Sequence, residues 1–181
     1  AEEATASQIK AYFTECLSKV NDEIYKKSDR RNENSGMATT VVVCCIRNGY
    51  AYIAHVGDSR AYICRNGALT QITEDHTYVN ALVKAGIITA EEAVSHEQRH
   101  MITRALGAED AVSPDFKQVE IRENDIILLC TDGLFGEVEE PLITEILSSS
   151  RHTMSEMASL LVDEANKSGG ADNITVICLR I

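Results

Sequence analysis

The sequence lacks tryptophan and has only two prolines among its 181 residues, so it contains no proline-rich linker. Positive charge is also scarce, because 17 Lys and Arg residues against 28 Asp and Glu residues give a net charge of −11. Nucleic acids and anionic membranes attract basic surfaces, so this balance argues against either as a partner. No apolar run is long enough to cross a bilayer. With 44% apolar residues, the composition predicts a globular domain, and we expect a single one over residues 1–181.

The six cysteines form no CxxC pair, and their spacing is irregular for a disulfide framework. Most of them lie in apolar, strand-like runs, where cysteine behaves as a small hydrophobic residue. We therefore expect reduced thiols and a cytoplasmic protein.

Hydrophobic periodicity predicts an α+β fold with helices packed outside sheets. A first amphipathic helix carries its apolar stripe from Ile9 to Ile24, and a polar loop over 28–35 follows it. Later helices are expected around 79–83, after Thr89 and Thr153 as N-caps, and from Pro141 to Leu147. The predicted strands lie at 39–46, 50–56, 60–65, 116–121, 125–130 and 174–179.

Three aspartates occur where strands begin or end. Asp132 closes one apolar strand and Asp172 opens another, so an antiparallel pairing would bring both carboxylates to one edge of a sheet. Asp58 lies in a further turn between strands and could reach the same edge. Carboxylates gathered in this way repel each other unless a cation neutralises them, and oxygen ligands favour Mg²⁺ or Mn²⁺. The alternative is that Asp-Gly and Asp-Asn serve here only as turn dipeptides.

Several ordered motifs support the metal interpretation. The sequences Gly-Asp-Ser-Arg at 57–60, Thr-Asp-Gly-Leu at 131–134 and Ala-Asp-Asn-Ile-Thr-Val at 171–176 resemble the metal-dependent serine/threonine protein phosphatases of the 2C type, and in particular their bacterial members. Met-Ala-Thr-Thr at 37–40 resembles the strand-opening motif of this family, with Ala38 where glycine is usual. The stretches 69–76 and 102–107 resemble the two flanks of its flap.

The resemblance implies a sandwich of two antiparallel sheets between helical layers, with metal ions at one edge. It implies that Asp132 and Asp172 are ligands of a binuclear Mn²⁺ or Mg²⁺ centre, and that Asp58 and Asp132 help to hold a third, weaker ion. The expected reaction is the hydrolysis of phosphoserine and phosphothreonine by a metal-activated water. Arg60 is expected to hold its own turn rather than to bind substrate.

The resemblance also implies partners. These are phosphoprotein substrates, recognised through a flap-like segment over 75–104, and a cognate serine/threonine kinase. Exposed sheet edges could allow dimerisation or strand exchange.

One departure from the family pattern concerns the start of the chain. The stretch 1–7 resembles the residues that follow an Arg that grips the phosphate and an Asp-Gly element whose Asp bridges both metals. Neither element is present, so no catalytic residue is assigned beyond the metal ligands. We expect this chain to be an N-terminally shortened domain that hydrolyses phosphoesters poorly compared with a version extended upstream at equal Mn²⁺.

The sequence is also compatible with two other functions. His-Glu-Gln-Arg-His at 96–100 matches the HExxH pattern of zinc proteases, although its polar surroundings suit a solvated flap helix better. The second alternative is a non-catalytic domain, related to these phosphatases, that binds phosphoproteins or regulators. Such a domain has no need to retain Asp58, Asp132 and Asp172.

Overall fold

The computed structural model describes residues 4–28 and 36–181. Most of the predicted polar loop, residues 29–35, lies outside the described residues. Among the described helices, none is both long and apolar enough to span a bilayer. The chain forms two compact units. Of the described residues, the first unit contains 4–28, 36–44, 54–58 and 75–116, and the second contains 45–53, 59–74 and 117–181.

Six helices and seven strands account for the regular structure of the described residues. The helices are α1 (Ala6–Lys27), α2 (Tyr78–Lys84), α3 (Ala90–Val94), α4 (Asp132–Phe135), α5 (Glu140–Ser148) and α6 (Met154–Ser168). The strands are β1 (Val41–Arg47), β2 (Tyr50–Val56), β3 (Arg60–Arg65), β4 (Ala68–Gln71), β5 (Asp115–Glu120), β6 (Ile126–Cys130) and β7 (Val176–Arg180).

The predicted helix starts are confirmed where capping residues mark them. Thr89 and Thr153 each accept a hydrogen bond from the backbone N–H three residues later, and a glutamate side chain returns the bond. The helix α6 ends at Ser168, and Gly169 is its C-cap residue. Sequence patterns did not predict α4 or β4, because each is only four residues long.

The first unit has a small core around α1. Leu17 packs with Ala54, Val56 and Leu106, which are all almost fully buried. Asn21 is buried on the same helix, and both the oxygen and the nitrogen of its side-chain amide form hydrogen bonds with a loop. Its Oδ1 accepts from Gly107 N at 2.8 Å, and its Nδ2 donates to Glu109 O at 3.0 Å.

The second unit contains an antiparallel four-stranded sheet in the order β4-β3-β6-β7. One face of this sheet packs against α5 and α6, with Tyr62, Leu128, Ile143, Met157 and Leu161 all but inaccessible to solvent. The expected packing of helices against the outside of a sheet is therefore present in this unit.

A separate three-stranded sheet has the order β1-β2-β5. The Asn48-Gly49 turn joins its first two strands with positive φ angles of 50° and 75°. This is the backbone of the turn that Asn-Gly predicts in a hairpin.

Candidate metal centre

The ends of β6 and β7 bring two of the predicted aspartates to one edge of a sheet. The strands are antiparallel, and Cys130 pairs with Val176. Thr131, the next residue, donates its N–H to Thr175 O at 3.2 Å, and its hydroxyl accepts from Thr175 N at 3.0 Å. The same hydroxyl donates to Asn173 O at 3.1 Å. The predicted antiparallel pairing is confirmed, and Thr131 ties the start of α4, which carries Asp132, to the bend that carries Asp172.

Gly133 allows these two segments to lie in contact. A Cβ atom at this position would be 2.5 Å from Asn173 O, closer than a side chain can approach a backbone oxygen. Gly133 is one of the buried residues of α4. Glycine at this position therefore permits the close approach of the backbone after Asp132 to the backbone after Asp172.

The two carboxylates have the chemistry of a site for hard cations. Asp132 Oδ1 accepts from Gly133 N at 3.0 Å, and Asp172 Oδ1 accepts from Asn173 N at 2.6 Å. Neither carboxylate has a cationic partner within residues 4–28 and 36–181. Asp132 is half-buried and Asp172 is exposed, so both remain accessible. Carboxylate oxygens are the ligands that Mg²⁺ and Mn²⁺ prefer, so two carboxylates without a counter-ion are suited to bind one of these ions.

Asp58 belongs to the first unit and lies in the turn between β2 and β3. Only 9% of its surface is exposed. The preceding residue, Gly57, has φ of +105°, and a Cβ atom there would overlap the Thr40 side chain. His76 fixes this glycine twice, since its N–H donates to Gly57 O and its Nδ1 accepts from Gly57 N, both at 3.0 Å.

The surroundings of His76 form a hydrogen-bonded cluster. Arg104 Nη1 lies 2.8 Å from His76 Nε2, and Arg104 Nη2 donates to Asp115 Oδ1 at 2.9 Å and to Ser113 O. Asp115 Oδ2 is 3.5 Å from His76 Nε2. Burial, the Arg104 charge and the neighbouring His55 together lower the pKa of His76 to about 4, so the imidazole is neutral at pH 7.

His55, His76 and Asp115 each place a ligand atom within 4.8 Å of the others, a spacing that could suit a metal. However, the two imidazole rings are stacked, with centroids 4.6 Å apart and planes inclined by 20°. Ring lone pairs lie in the ring plane, so stacked rings do not converge on one ion. The Arg104 guanidinium would also repel a cation. We therefore interpret this cluster as structural.

The HExxH sequence does not adopt the geometry of a zinc protease. The helix α3 ends at Val94, and residues 97–100 form turns. His96 Nδ1 accepts from Gln98 N at 3.1 Å instead of facing His100 across one helical turn. The expected flap helix is also wrong for these residues, because the helical pattern ends before them.

Comparisons with known proteins agree with this arrangement. Residues 3–174 match the family model described as Protein phosphatase 2C. The chain belongs to the protein phosphatase 2C family. It is 40% identical over 176 residues to the serine/threonine phosphatase stp of Listeria monocytogenes, a match that covers 97% of this chain and 69% of the relative.

Solved structures of this family are similar throughout the chain. The serine/threonine phosphatase of S. agalactiae has a TM-score of 0.93 and 34% identity, and the match covers 100% of this chain and 74% of that chain. The catalytic domain of the phosphatase PstP, solved in complex with two manganese ions, has a TM-score of 0.81 and 36% identity over 93% of this chain and 69% of that chain. The α+β fold with two antiparallel sheets and the bacterial branch of the 2C-type family are both confirmed.

The sequence patterns missed the His76 cluster. The rings of His55 and His76 stack within the first unit, although no motif in the sequence links the two residues. The sequences around His76 and Arg104 resemble the two flanks of the family's flap, and this was the signal that could have linked them. No local pattern connects either residue with Asp115, since this contact depends on tertiary structure.

Proposed function

We propose that this chain hydrolyses phosphoserine and phosphothreonine in proteins by a metal-dependent mechanism. As a member of the 2C-type family, the chain is a protein phosphatase, and its reaction is that of a phosphoric monoester hydrolase. The observation that carries the proposal is that the start of α4, with Asp132, adjoins the bend that carries Asp172. The oxygen atoms of both carboxylates can bind a metal ion, and neither carboxylate has a cationic partner among the described residues.

Asp132 and Asp172 would hold the two Mn²⁺ or Mg²⁺ ions, and Asp58 would contribute to a third, weaker site. Bound divalent ions lower the pKa of water and neutralise the oxygens of a phosphoryl group. The Oδ1 atom of each carboxylate accepts a hydrogen bond from the backbone N–H of the next residue, which holds the side chain beside its own backbone. Thr131 keeps both segments in register, so the spacing of the ligands is set by the β6–β7 pairing.

The alternative of a non-catalytic binding domain is not favoured, because the relatives with high identity are named as phosphatases. It also makes a different prediction for metal binding. A binding domain has no need for a cation at Asp132, whereas a phosphatase does.

Calorimetric titration of Mn²⁺ into the full chain tests this proposal. We expect binding that Asp132→Asn and Asp172→Asn each weaken at least about tenfold, since each removes a charged ligand. The matched control is Asp163→Asn, an exposed aspartate on α6 that has no place in the site. Release of phosphate from a phosphothreonine peptide should need Mn²⁺ and should stop when a chelator is added. Binding that is equally strong in the Asp132→Asn and Asp163→Asn variants would refute the metal assignment.

We further propose that residues 1–181 act as one catalytic domain in which 75–104 is a flap-like segment that contacts the substrate. Contacts at its base support this idea. Thr103 N donates to His76 O at 2.7 Å, and Tyr78 N donates to Met101 O at 2.8 Å, so the two ends of the segment are joined. Between them, Ile87 and Val94 are mostly exposed, which suits contact with a protein substrate.

A cognate serine/threonine kinase and a cytoplasmic location complete the proposal. None of the six cysteines, all of which lie among the described residues, forms a disulfide. Burial raises the pKa of Cys178 to about 11, so this thiol is unreactive at neutral pH. Co-expression with candidate kinases, followed by measurement of substrate phosphorylation with and without the phosphatase, tests the first of these assignments.

The edge strand β7 is a candidate for pairing with a second copy of the chain. It lies at the end of the four-stranded sheet and exposes Ile177 and Leu179 on one face. Exposed apolar edge strands favour strand pairing. We expect a dimer in sedimentation experiments that Ile177→Lys converts to a monomer, and a wild-type chain that is monomeric at high concentration would contradict this.

A further inference from the structure

Arg60 is held between two aromatic side chains of the second unit. It opens β3 and pairs with Cys130, so it lies beside the strand end that precedes Asp132. Its guanidinium carbon lies 3.6 Å from the centroid of the Phe135 ring, and its Nη1 donates to Tyr62 Oη at 2.7 Å. Burial raises the pKa of the Tyr62 phenol, so this group is a neutral hydrogen-bond acceptor at pH 7.

Phe135 is the last residue of α4, the helix that begins with Asp132. A helix of four residues is not stable by itself, because helix nucleation is costly. Its N-cap residue Thr131 makes no capping hydrogen bond, since its hydroxyl bonds to Asn173 and Thr175 instead. Contacts with the rest of the unit must therefore determine where this helix lies.

These contacts hold α4 at both ends. Thr131 and Gly133 fix the start of the helix against Asn173, and the Arg60 guanidinium covers the Phe135 ring at its end. Residues three apart lie on the same side of a helix, so Phe135 and Asp132 move together when the helix turns. A shift of Phe135 would displace the Asp132 carboxylate.

We propose that Arg60 is a positioning residue that acts through Phe135 to hold Asp132 in place for a divalent ion. This inference rests on the proposed metal site. Arginine suits the role because its planar guanidinium can stack on one ring while donating a hydrogen bond to another side chain. Lysine carries the same charge but cannot stack in this way.

The test is calorimetric titration of Mn²⁺ into the full chain and its variants. A cation–π contact is worth roughly 0.5–2 kcal/mol, so its loss can lower the affinity for Mn²⁺ by at most about 2-fold to 30-fold. We expect Phe135→Leu, Arg60→Met and Arg60→Lys to weaken Mn²⁺ binding within this range. Phe135→Tyr keeps an aromatic ring and should retain the wild-type affinity.

Arg65 provides the matched control, because it lies at the other end of the same strand. It forms an ion pair with Asp125 at 2.7 Å that is remote from α4 in the sheet register. We expect Arg65→Met to lower the melting temperature and to leave the Mn²⁺ affinity of the folded protein within about twofold of wild type, because it removes only a structural ion pair.

Three results would overturn the inference. The first is an Mn²⁺ affinity that is unchanged in both Phe135→Leu and Arg60→Met while Asp132→Asn abolishes binding. The metal assignment would then stand, but the positioning role of Arg60 would be refuted. The second is an equal loss of affinity in Phe135→Leu and Phe135→Tyr. The third is a rise in KM for a phosphopeptide in Arg60→Met without a change in Mn²⁺ affinity, because Arg60 would then bind substrate. Failure of the metal site itself is distinguishable, since Asp132→Asn would then bind Mn²⁺ like the wild type.

Discussion

Asp125 should be a major source of stability in the second unit. Its side chain is only 2% exposed and accepts three hydrogen bonds. Arg65 donates from Nε at 2.9 Å and from Nη2 at 2.7 Å, and Arg122 N donates at 2.7 Å. These contacts link the end of β3 with the loop before β6.

Replacing Asp125 with alanine leaves the Arg65 guanidinium and a backbone N–H without this acceptor. Removing one partner of a buried ion pair costs about 3–5 kcal/mol, and the low end applies because 29% of the Arg65 side chain is exposed. A loss of about 3 kcal/mol lowers the melting temperature by roughly 6–12 °C in a chain of this size. Urea unfolding at pH 7, followed by circular dichroism, measures the change directly.

The effect should depend on pH with a definite sign. Hydrogen bonds from Arg65 hold the pKa of Asp125 below its usual value, so the folded state favours the carboxylate. The stability it provides is complete above the unfolded-state pKa of about 3.9 and is lost as the pH falls through the lower folded-state pKa. The difference between wild type and Asp125→Ala should therefore shrink in strong acid.

Glu120→Gln is the control for general charge effects in the same region. Glu120 forms an ion pair with Arg122 at 3.8 Å, and the two side chains are 65% and 63% exposed, respectively. Such surface pairs contribute a few tenths of a kcal/mol. If Asp125→Ala cost no more than Glu120→Gln, or if its effect were the same at pH 7 and in strong acid, the reasoning would be wrong.

Three further predictions follow from the described contacts. Gly133→Ala should weaken Mn²⁺ binding and lower the free energy of unfolding by about 1–3 kcal/mol, because the alanine Cβ would force the backbone away from Asn173 O. An Mn²⁺ affinity equal to that of the wild type in calorimetric titration would contradict this. Asn21→Ala should cost about 1–3 kcal/mol in urea unfolding, since it leaves Gly107 N without its acceptor, and a change below 0.5 kcal/mol would count against the role of Asn21. His76→Ala should cost a similar ~1–3 kcal/mol by removing the acceptor for Gly57 N, whereas His100→Ala, at an exposed position, should be nearly neutral.

Local patterns predicted much of the secondary structure. The capping residues Thr89 and Thr153 and the turn at Asn48-Gly49 act within a few residues of the chain, so their physical effect can be read directly from the sequence. The adjoining positions of Asp132 and Asp172 were also predictable, because both lie at the ends of apolar strands that pair in antiparallel fashion.

Other features required tertiary structure. The short helix α4 has no sequence pattern of its own, since contacts of Gly133 with Asn173 and of Phe135 with Arg60 determine its position. The cluster around His76 likewise joins side chains from separate parts of the chain. The sequence alone determined the family, the strands and the acidic side chains suited to a cation. Packing between distant segments decided how those side chains are held, because such contacts depend on the whole fold and leave no local periodicity.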